Sequence, residues 1–426
     1  MQVSRRQFLQ VAGLGAASVA GVSTLAGCSG TDSGAGSTPA KSSGGNADKP
    51  VVFYNRQPSN SSTGELDMTT LKWNDNTYYV GFDANQGGEL EGTMVADYIK
   101  AHAAELDSDG DGMIGYVLAI GDVGHNDSIA RTRGCRKALG TAVEKDGAIV
   151  SDAAGTNTDG TATVVQDGTI KADDGKEYTI RELASQEMKT SAGATWDAPT
   201  AGNAISTWAS SFGDKINVIV SNNDGMGMAM FNAWSKENKV PTFGYDANSD
   251  AVEAIGQGYG GTISQNPAVQ AYLTLRLLRN VFDGVDINTG ISEADDAGNA
   301  LSEDDYKYSE EERSYYAMNL AVTADNYKDF LDATALYDGA SAQLEADKKK
   351  VWLSTYNSAD NFLGATYKPL LKKYQDLLCL DVDYVDGDGQ NESNITNRLG
   401  NPDEYDGFAI NMVKTDNGAS YTALLG

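Results

Sequence analysis

Short polar runs follow apolar, strand-like segments at several places in this chain. Their side chains are of the types that bind a hydroxyl-rich, uncharged molecule: carboxylates accept hydrogen bonds, arginine donates them in a fork, and amides do both. Charge-assisted hydrogen bonds of this kind contribute roughly 1.5–3 kcal/mol each. Taken singly, each residue also fits an ordinary helix cap or turn. The residues concerned are Asn55, His125, Asp127, Arg131, Asn223, Asp246, Gln265 and Asp360.

Two aromatic residues lie close to these runs in the sequence. Trp196 stands in the polar stretch GATWDAPTA, and Phe362 follows Asp360 by two positions. A flat aromatic ring can cover the apolar C–H face of a cyclic polyol, which makes both residues candidates for ligand contact. Both also remain candidates for ordinary core packing.

A separate acidic loop has the spacing of a calcium site. Asp107, Asp109 and Asp111 alternate with small residues and are followed by Gly112 and Met113. This matches the first two-thirds of an EF-hand loop, in which the seventh residue, here Met113, supplies its backbone carbonyl. The usual glutamate at the twelfth position is missing, because Leu118 stands there. We expect a Ca²⁺ site, with a solvated acidic turn as the alternative.

Composition and missing motifs exclude several classes of function. The chain of 426 residues carries a net charge of −28, which argues against nucleic acid and anionic membrane surfaces as partners. Glycine-rich phosphate loops, paired-cysteine motifs and HExxH are absent from the sequence. A binding protein without covalent chemistry is the favoured reading. A glycosidase would need two placed carboxylates, which Asp127, Asp246 and Asp360 could supply.

Short apolar runs alternate with amphipathic segments from residue 50 onward. This alternation predicts βαβ units and parallel sheets, with the polar runs at the carboxyl ends of the strands, where ligands bind in open α/β sheets. The predicted strands are 51–54, 78–80, 114–120, 217–221, 241–245, 261–263 and 351–356, and the predicted helices are 89–105, 128–139, 226–238, 249–257 and 269–282.

The N-terminus is typical of an exported lipoprotein. Twin arginines precede Phe-Leu and a short apolar run, as in Tat-like signals, and the run ends in Leu-Ala-Gly-Cys, which resembles a lipobox. We expect 1–27 to be a signal peptide and Cys28 to carry the lipid. Its removal would take away two arginines and no acidic residue, which changes the charge from −28 to −30. Residues 28–48 are rich in Gly, Ser and Thr and predict a flexible tether.

Several segments together resemble the bacterial glucose/galactose-binding family of periplasmic proteins. They are VVFYNRQPS, GDVGHNDSIART, GATWD, SNNDGM, FGYDA and YNSADNF. The resemblance implies two Rossmann-like lobes with the sugar bound between them. One position departs from the family pattern, since Gln265 stands where the family has Asn, and TISQNP is closer to the ribose-binding relatives. The implied sugar contacts are Asp360, Phe362, Asn55, His125, Asp127, Arg131, Trp196, Asn223 and Asp246, with Gln265 at the departing position.

The same resemblance bears on the calcium loop. The family completes its metal site with a Gln at the ninth loop position and a distant Glu, where this chain has Gly115 and Asn217. The implied ligands are therefore Asp107, Asp109, Asp111, Met113 and a weaker Asn217.

The order of the segments differs from that of the family. The unit at 351–426 resembles the beginning of the family's mature chain, yet it closes this one, which suggests a circular permutation. We expect lobe one to comprise 49–81, 267–318 and 351–426, and lobe two to comprise 84–265 and 322–335. A surface hairpin insertion is expected at 151–190, an acidic loop at 286–313 and a connector at 336–350. The three crossings between lobes are expected near 81–83, 265–267 and 318–322.

By resemblance, the chain is expected to be a monomeric, lipid-anchored extracytoplasmic protein. It would capture a glucose- or galactose-like monosaccharide and present it to the permease of an ABC importer. The anchor would be its only contact with the membrane, and no nucleic acid would be bound. The alternative is a sensory receptor that presents bound sugar to a chemoreceptor or a histidine kinase.

Overall fold

The computed structural model describes residues 46, 48–58, 66–236, 240–387 and 399–412. The predicted signal peptide, Cys28 and nearly all of the predicted tether lie outside these residues. The strands are β1 Val51–Tyr54, β2 Thr77–Phe82, β3 Met113–Ile120, β4 Glu144–Lys145, β5 Ala148–Ile149, β6 Gly168–Lys171, β7 Glu177–Glu187, β8 Ile216–Ser221, β9 Thr242–Phe243, β10 Thr262–Ser264, β11 Tyr306–Ser309, β12 Ser314–Ala317, β13 Leu320–Val322, β14 Lys349–Thr355, β15 Leu380–Asp386 and β16 Gly407–Ile410. The α-helices are α1 Met68–Leu71, α2 Ala84–Leu106, α3 Asn126–Ala138, α4 Ala198–Phe212, α5 Asp224–Ala233, α6 Ser249–Ile255, α7 Pro267–Asp283 and α8 Lys368–Leu377, and a π-helix, Phe362–Tyr367, leads into α8.

Two mixed sheets, both mainly parallel, organise the described residues. One has seven strands in the order β11-β12-β2-β1-β16-β14-β15, and all its pairs are parallel except β11 with β12. The other has five strands in the order β6-β7-β3-β8-β9, and only β6 with β7 is antiparallel. We use lobe one for the first sheet with α7 and α8, and lobe two for the second with α2 to α6. The predicted α/β class with parallel sheets is confirmed.

Apolar side chains on both faces explain why these strands sit inside sheets. In β1, Val52 and Tyr54 point into one core of lobe one, while Val51 and Phe53 point into another. Strand β3 shows the same division in lobe two, with its even-numbered residues packed against α2 and its odd-numbered residues against α4 and α5. Successive residues of a strand face opposite sides, so a wholly apolar strand needs cover on both.

The C-terminal segment is an integral part of lobe one. Strand β14 pairs in parallel with both β15 and β16, and β16 in turn pairs with β1. Trp352, in the middle of β14, is completely buried against Phe53 and Phe408 in one core. The predicted strand at 351–356 is therefore a central strand. This arrangement is what the permutation hypothesis requires, and the permutation itself stays a prediction.

Two local expectations were wrong. Residues 151–190 do contain a hairpin, β6 with β7, but β7 also pairs along its length with β3, so it belongs to the sheet of lobe two and is not a surface insertion. The region 286–313 is not all loop, because β11 forms a second hairpin with β12 at the side of lobe one. Tyr308 and Tyr315 stack across this hairpin with their ring centroids 4.4 Å apart, and such cross-strand aromatic pairs stabilise it despite the surrounding acidic residues.

The chain changes sheets close to the three predicted crossings. Strand β2 ends at Phe82 in lobe one, and α2 follows directly in lobe two. Strands β10 and β13 pair with each other and bring two further crossings side by side. Asn319 ties these to the first crossing by donating to the backbone oxygen of Asp83 at 3.0 Å and to the Gln86 side chain at 2.7 Å. The crossings thus form one hydrogen-bonded group.

The role of the C-terminal segment gives a stability prediction. Leu353, at 0% exposure in β14, lies in the same core as Val52 and Leu273. Leu353→Ala should lower the free energy of unfolding by about 2–5 kcal/mol, because it leaves a cavity in a core shared by both ends of the chain. The control, Leu331→Ala, changes a leucine that is 44% exposed and should stay within about 0.5 kcal/mol of the parent. Urea unfolding measures both, and equal effects would mean that β14 is not a core strand.

Candidate functional site

The polar residues at the strand ends meet between the two lobes, in the region that we call the cleft. Asn55 follows β1 in lobe one, while Asp246 and Gln265 follow β9 and β10 on the other side. All three are buried, with exposures of 2%, 9% and 1%. Asn55 and Asp246 have φ angles of 61° and 108°, a strained backbone for residues other than glycine that is concentrated at functional sites.

Gln265 joins the two sides of the cleft. Its Nε2 donates to Oδ1 of Asp246 at 2.6 Å, and its Oε1 accepts from Nδ2 of Asn55 at 3.5 Å. The residue that departs from the family pattern therefore stands between two predicted contact residues. Oδ1 of Asn55 is buried without a hydrogen-bond partner in the protein, so this cluster retains an acceptor that a ligand hydroxyl could use.

Arg131 is the buried cation of the site. Its guanidinium lies 3.5 Å from the ring centre of Tyr245 and donates through Nη1 to the backbone oxygen of Asn222 at 2.6 Å. Nη2 lies 3.7 Å from Asp246 and 3.9 Å from Asp127. Burial lowers the pKa of Arg131, but Asp246, Tyr245 and Asp127 raise it by more. The site thus contains a permanent positive charge held between two carboxylates and an aromatic ring.

The same surroundings change the pKa of the Asp246 carboxyl group. Burial raises its pKa from 3.8 to about 6, and the field of Asp360 adds to this rise, while Arg131 and Gln265 oppose it. Asp127 behaves in the opposite way: burial raises its pKa, but Arg56, His125 and Arg131 together lower it below the usual value. Asp246 therefore takes up a proton at a higher pH than Asp127 does.

His125 and Trp196 form one wall of the cleft. Their rings meet edge to face at 5.5 Å, and the Trp196 ring centre lies 5.8 Å from the Arg131 guanidinium. Nδ1 of His125 accepts from the backbone nitrogen of Asp127 at 3.2 Å and so caps α3. Burial lowers the pKa of His125, which leaves Nε2–H as a neutral donor. Gly121 makes room for Trp196, because a Cβ there would lie 2.3 Å from its ring.

Three predicted contact residues also have structural roles. Phe362 is 6% exposed and packs on Tyr367 within the core of lobe one. Asp360 is exposed and accepts from the backbone nitrogen of Leu363 at 2.8 Å, although its charge still reaches Asp246. The side-chain oxygen of Asn223 caps α5 at Met226. The remaining predicted contact residues, Asn55, His125, Asp127, Arg131, Trp196, Asp246 and Gln265, are brought together around the cleft.

Three residues that shape the site were not among the predicted contacts. Tyr245 lies beneath Arg131, and Asn222 accepts from Ser128 at 2.7 Å and from the backbone of Gly121 at 3.2 Å through its side-chain oxygen. Arg56 pairs with Asp127 at 2.6 Å. Each stands next to a predicted contact residue in the sequence, which is the signal that could have identified it.

The acidic loop converges as its spacing predicts. The carboxylates of Asp107, Asp109 and Asp111 lie within 4.8 Å of one another, and Gly112 makes the turn at φ 78°. Oδ1 of Asp107 is buried without a hydrogen-bond partner in the protein, as expected for an oxygen that faces a cation. The donor set therefore fits Ca²⁺. The side chain of Asn217 is already engaged in hydrogen bonds, unlike that of a free metal ligand. Its oxygen accepts from the Gly115 nitrogen at 2.8 Å, and its Nδ2 donates to the backbone oxygen of Leu106.

Comparison with known proteins assigns the family. Residues 31–286 match a family model described as a periplasmic binding protein domain, and residues 348–418 match a second model with the same description. The chain belongs to the periplasmic binding protein family. Strands β1 and β2 of the seven-stranded sheet lie in the first match, and strands β14, β15 and β16 of the same sheet lie in the second.

Among curated relatives of this periplasmic binding protein is the D-galactose/methyl-galactoside binding periplasmic protein MglB of Haemophilus influenzae. It is 28% identical over 248 residues, which are 57% of this chain and 59% of the relative. The xylitol-binding protein of Mycolicibacterium smegmatis is 32% identical over 99 residues, which are 22% of this chain and 28% of the relative. The chain thus spans less than two thirds of the length of either relative.

A solved periplasmic solute binding protein of an ABC transporter from Actinobacillus succinogenes, with bound D-allose, has 18% identity and a TM-score of 0.39, covering 66% of this chain and 70% of that one. A TM-score this low says nothing about what the present chain binds. Within the described part of the chain, no helix is long and apolar enough to cross a membrane.

The pKa of Asp246 gives a prediction about pH. The pKa of Asp246 is higher in the folded protein than in the unfolded chain, so its protonated carboxyl group stabilises the fold at low pH. This stabilisation is complete below the unfolded pKa and is lost as the pH rises from about 4 to about 6. Asp246→Asn cannot ionise, so between pH 4 and pH 7 its free energy of unfolding should rise by about 3 kcal/mol relative to the parent. Urea unfolding across this range measures the difference.

Asp159→Asn is the control, because hydrogen bonds from Thr161 lower the pKa of this exposed group. Its stability relative to the parent should change with pH in the opposite direction. A difference between Asp246→Asn and the parent that does not vary with pH would show that Asp246 titrates normally.

Proposed function

We propose that the protein is an extracytoplasmic receptor that captures a monosaccharide, glucose- or galactose-like, between its two lobes and delivers it to an ABC importer. The observation that carries this is the buried polar cluster of Arg131, Asp246, Gln265 and Asn55, which draws on both sides of the cleft. Such a cluster combines fixed donors and acceptors at short range, which suits a molecule with many hydroxyl groups. The names of the curated relatives support a small polyol as the ligand.

Binding would depend on closure of the lobes. The crossings lie together at Asp83, Gln265 and Asn319, and a hinge there would open and close the cleft above them. The closed form would be the signal that a membrane partner reads. Attachment through Cys28 would keep the receptor near that partner; this part of the proposal rests on the sequence alone.

The sugar proposal is tested by calorimetry with glucose, galactose, xylose, ribose and arabinose. At least one should bind, and Asp246→Ala and Asp360→Ala should each weaken it by about 2–4 kcal/mol, or about 30- to 1,000-fold, because a ligand hydroxyl loses a charged acceptor. Asp159→Ala, on an exposed turn of lobe two, should bind like the parent. Failure of all five sugars to bind would contradict the proposal. If the protein instead released free sugar from a glycoside, it would be a glycosidase and not a receptor.

We also propose that the acidic loop binds one Ca²⁺ through Asp107, Asp109, Asp111 and the carbonyl of Met113. The ion would add charge-neutralising bonds that hold the end of α2 against the start of β3. The site should be weaker than a full EF-hand loop, because Gly115 and Leu118 offer no side-chain oxygen and Asn217 is already hydrogen-bonded.

Calcium removal provides the measurement. A chelator should lower the melting temperature of the parent, since the ion binds only the folded loop, and Asp109→Ala should abolish the difference between calcium and chelator. Asp159→Ala should retain that difference. A parent protein that melts identically with calcium and with chelator would contradict the site.

A further inference from the structure

One ion pair spans the cleft. Arg56 follows Asn55 directly in the loop after β1, in lobe one, and Asp127 is the second residue of α3, in lobe two. Nη1 of Arg56 lies 2.6 Å from Oδ2 of Asp127, and the two side chains are 26% and 12% exposed. This is a short charge-assisted hydrogen bond.

The pair differs from the other ion pairs between described residues, which each join groups within one lobe, such as Arg181 with Asp167 or Arg276 with Asp295. A bond within a lobe is unaffected by opening of the cleft. The bond between Arg56 and Asp127 exists only when the two sheets approach each other. Its free energy therefore contributes to closure rather than to the stability of either lobe.

Asp127 depends on this partner. The second cation near it, Arg131, is 3.9 Å away and is shared with Asp246. Arg56 is the strongest of the charges that hold the pKa of Asp127 low against its burial. The arginine thus keeps a buried carboxylate ionised and fixes one of its two oxygens, which limits where the other can point.

We propose that Arg56 is a positioning residue of the sugar site, which orients the Asp127 carboxylate and links the lobes when they close. The inference rests on the proposed function, because it names how one contact residue of that site is held. Arg56 acts through Asp127, so its removal should shorten the lifetime of the closed complex more than it slows encounter with the ligand.

A double-mutant cycle tests this with the sugar that binds the parent best. Arg56→Gln should weaken binding about 5- to 30-fold, mainly through faster dissociation in stopped-flow measurements. Arg56→Lys should recover part of the loss, because it keeps the charge but not the fork. In an Asp127→Asn background, Arg56→Gln should change affinity by less than about twofold, since the two residues act as a unit.

Arg181→Gln is the matched control. Its pair with Asp167 has the same length, 2.6 Å, and Arg181 has the same exposure, 26%, but both residues lie in lobe two. This variant should bind the sugar within about twofold of the parent, as expected for an ion pair near the surface of one lobe. A loss equal to that of Arg56→Gln would show a general charge effect and overturn the inference.

Two further results would overturn it: Arg56→Gln binding as tightly as the parent, or Arg56→Gln losing as much affinity in the Asp127→Asn background as alone. If the parent binds none of the sugars, the proposed function fails. The link between the lobes can then still be tested in the ligand-free protein. X-ray scattering should show a larger radius of gyration for Arg56→Gln than for Arg181→Gln, and identical radii would contradict the link.

Discussion

The buried guanidinium of Arg131 is the constraint on which the cleft depends. At 2% exposure it cannot be hydrated, and an uncompensated buried charge is strongly destabilising. The protein surrounds it with Asp127, Asp246, the carbonyl of Asn222 and the face of Tyr245. Each partner lies just after a strand or at the start of a helix. The loops that carry these partners must therefore converge on Arg131, which determines how the loops of lobe two are arranged.

The opposite wall comes from a lobe built by distant parts of the chain. Strand β1 supplies Asn55 and Arg56, yet it is held between β2 and β16, and β16 is held by β14. The loop after β14 carries Asp360, whose field reaches Asp246 across the cleft. A parallel sheet must be covered and paired on both sides of each inner strand, so the C-terminal segment is as necessary to the site as the residues after β1. Loop closure grows only slowly with length, which makes such a split lobe thermodynamically tolerable.

Sequence patterns predicted strands that contain a buried apolar run, such as β3, β8 and β14, and the polar runs that follow them. They failed for β7, which was interpreted as part of a surface hairpin, because its pairing with β3 is a long-range property. They also missed β11, where acidic residues conceal alternating tyrosines. In the site, the residue types at strand ends were predictable, whereas the reach of Arg56 across the cleft and the stacking of Tyr245 depend on how the lobes face each other. Phe362 could not be placed from sequence, since its packing on Tyr367 follows from the π-helix that both share.

A crystal structure of the protein grown with the sugar that binds best would test the central claim most directly. We predict one monosaccharide between the two sheets, within hydrogen-bond distance of Asn55, Asp246 and Asp360, with Trp196 against its apolar face and Arg56 still paired with Asp127. A sugar bound outside the cleft, or one that contacts a single lobe while Arg131 and Asp246 remain untouched, would contradict it.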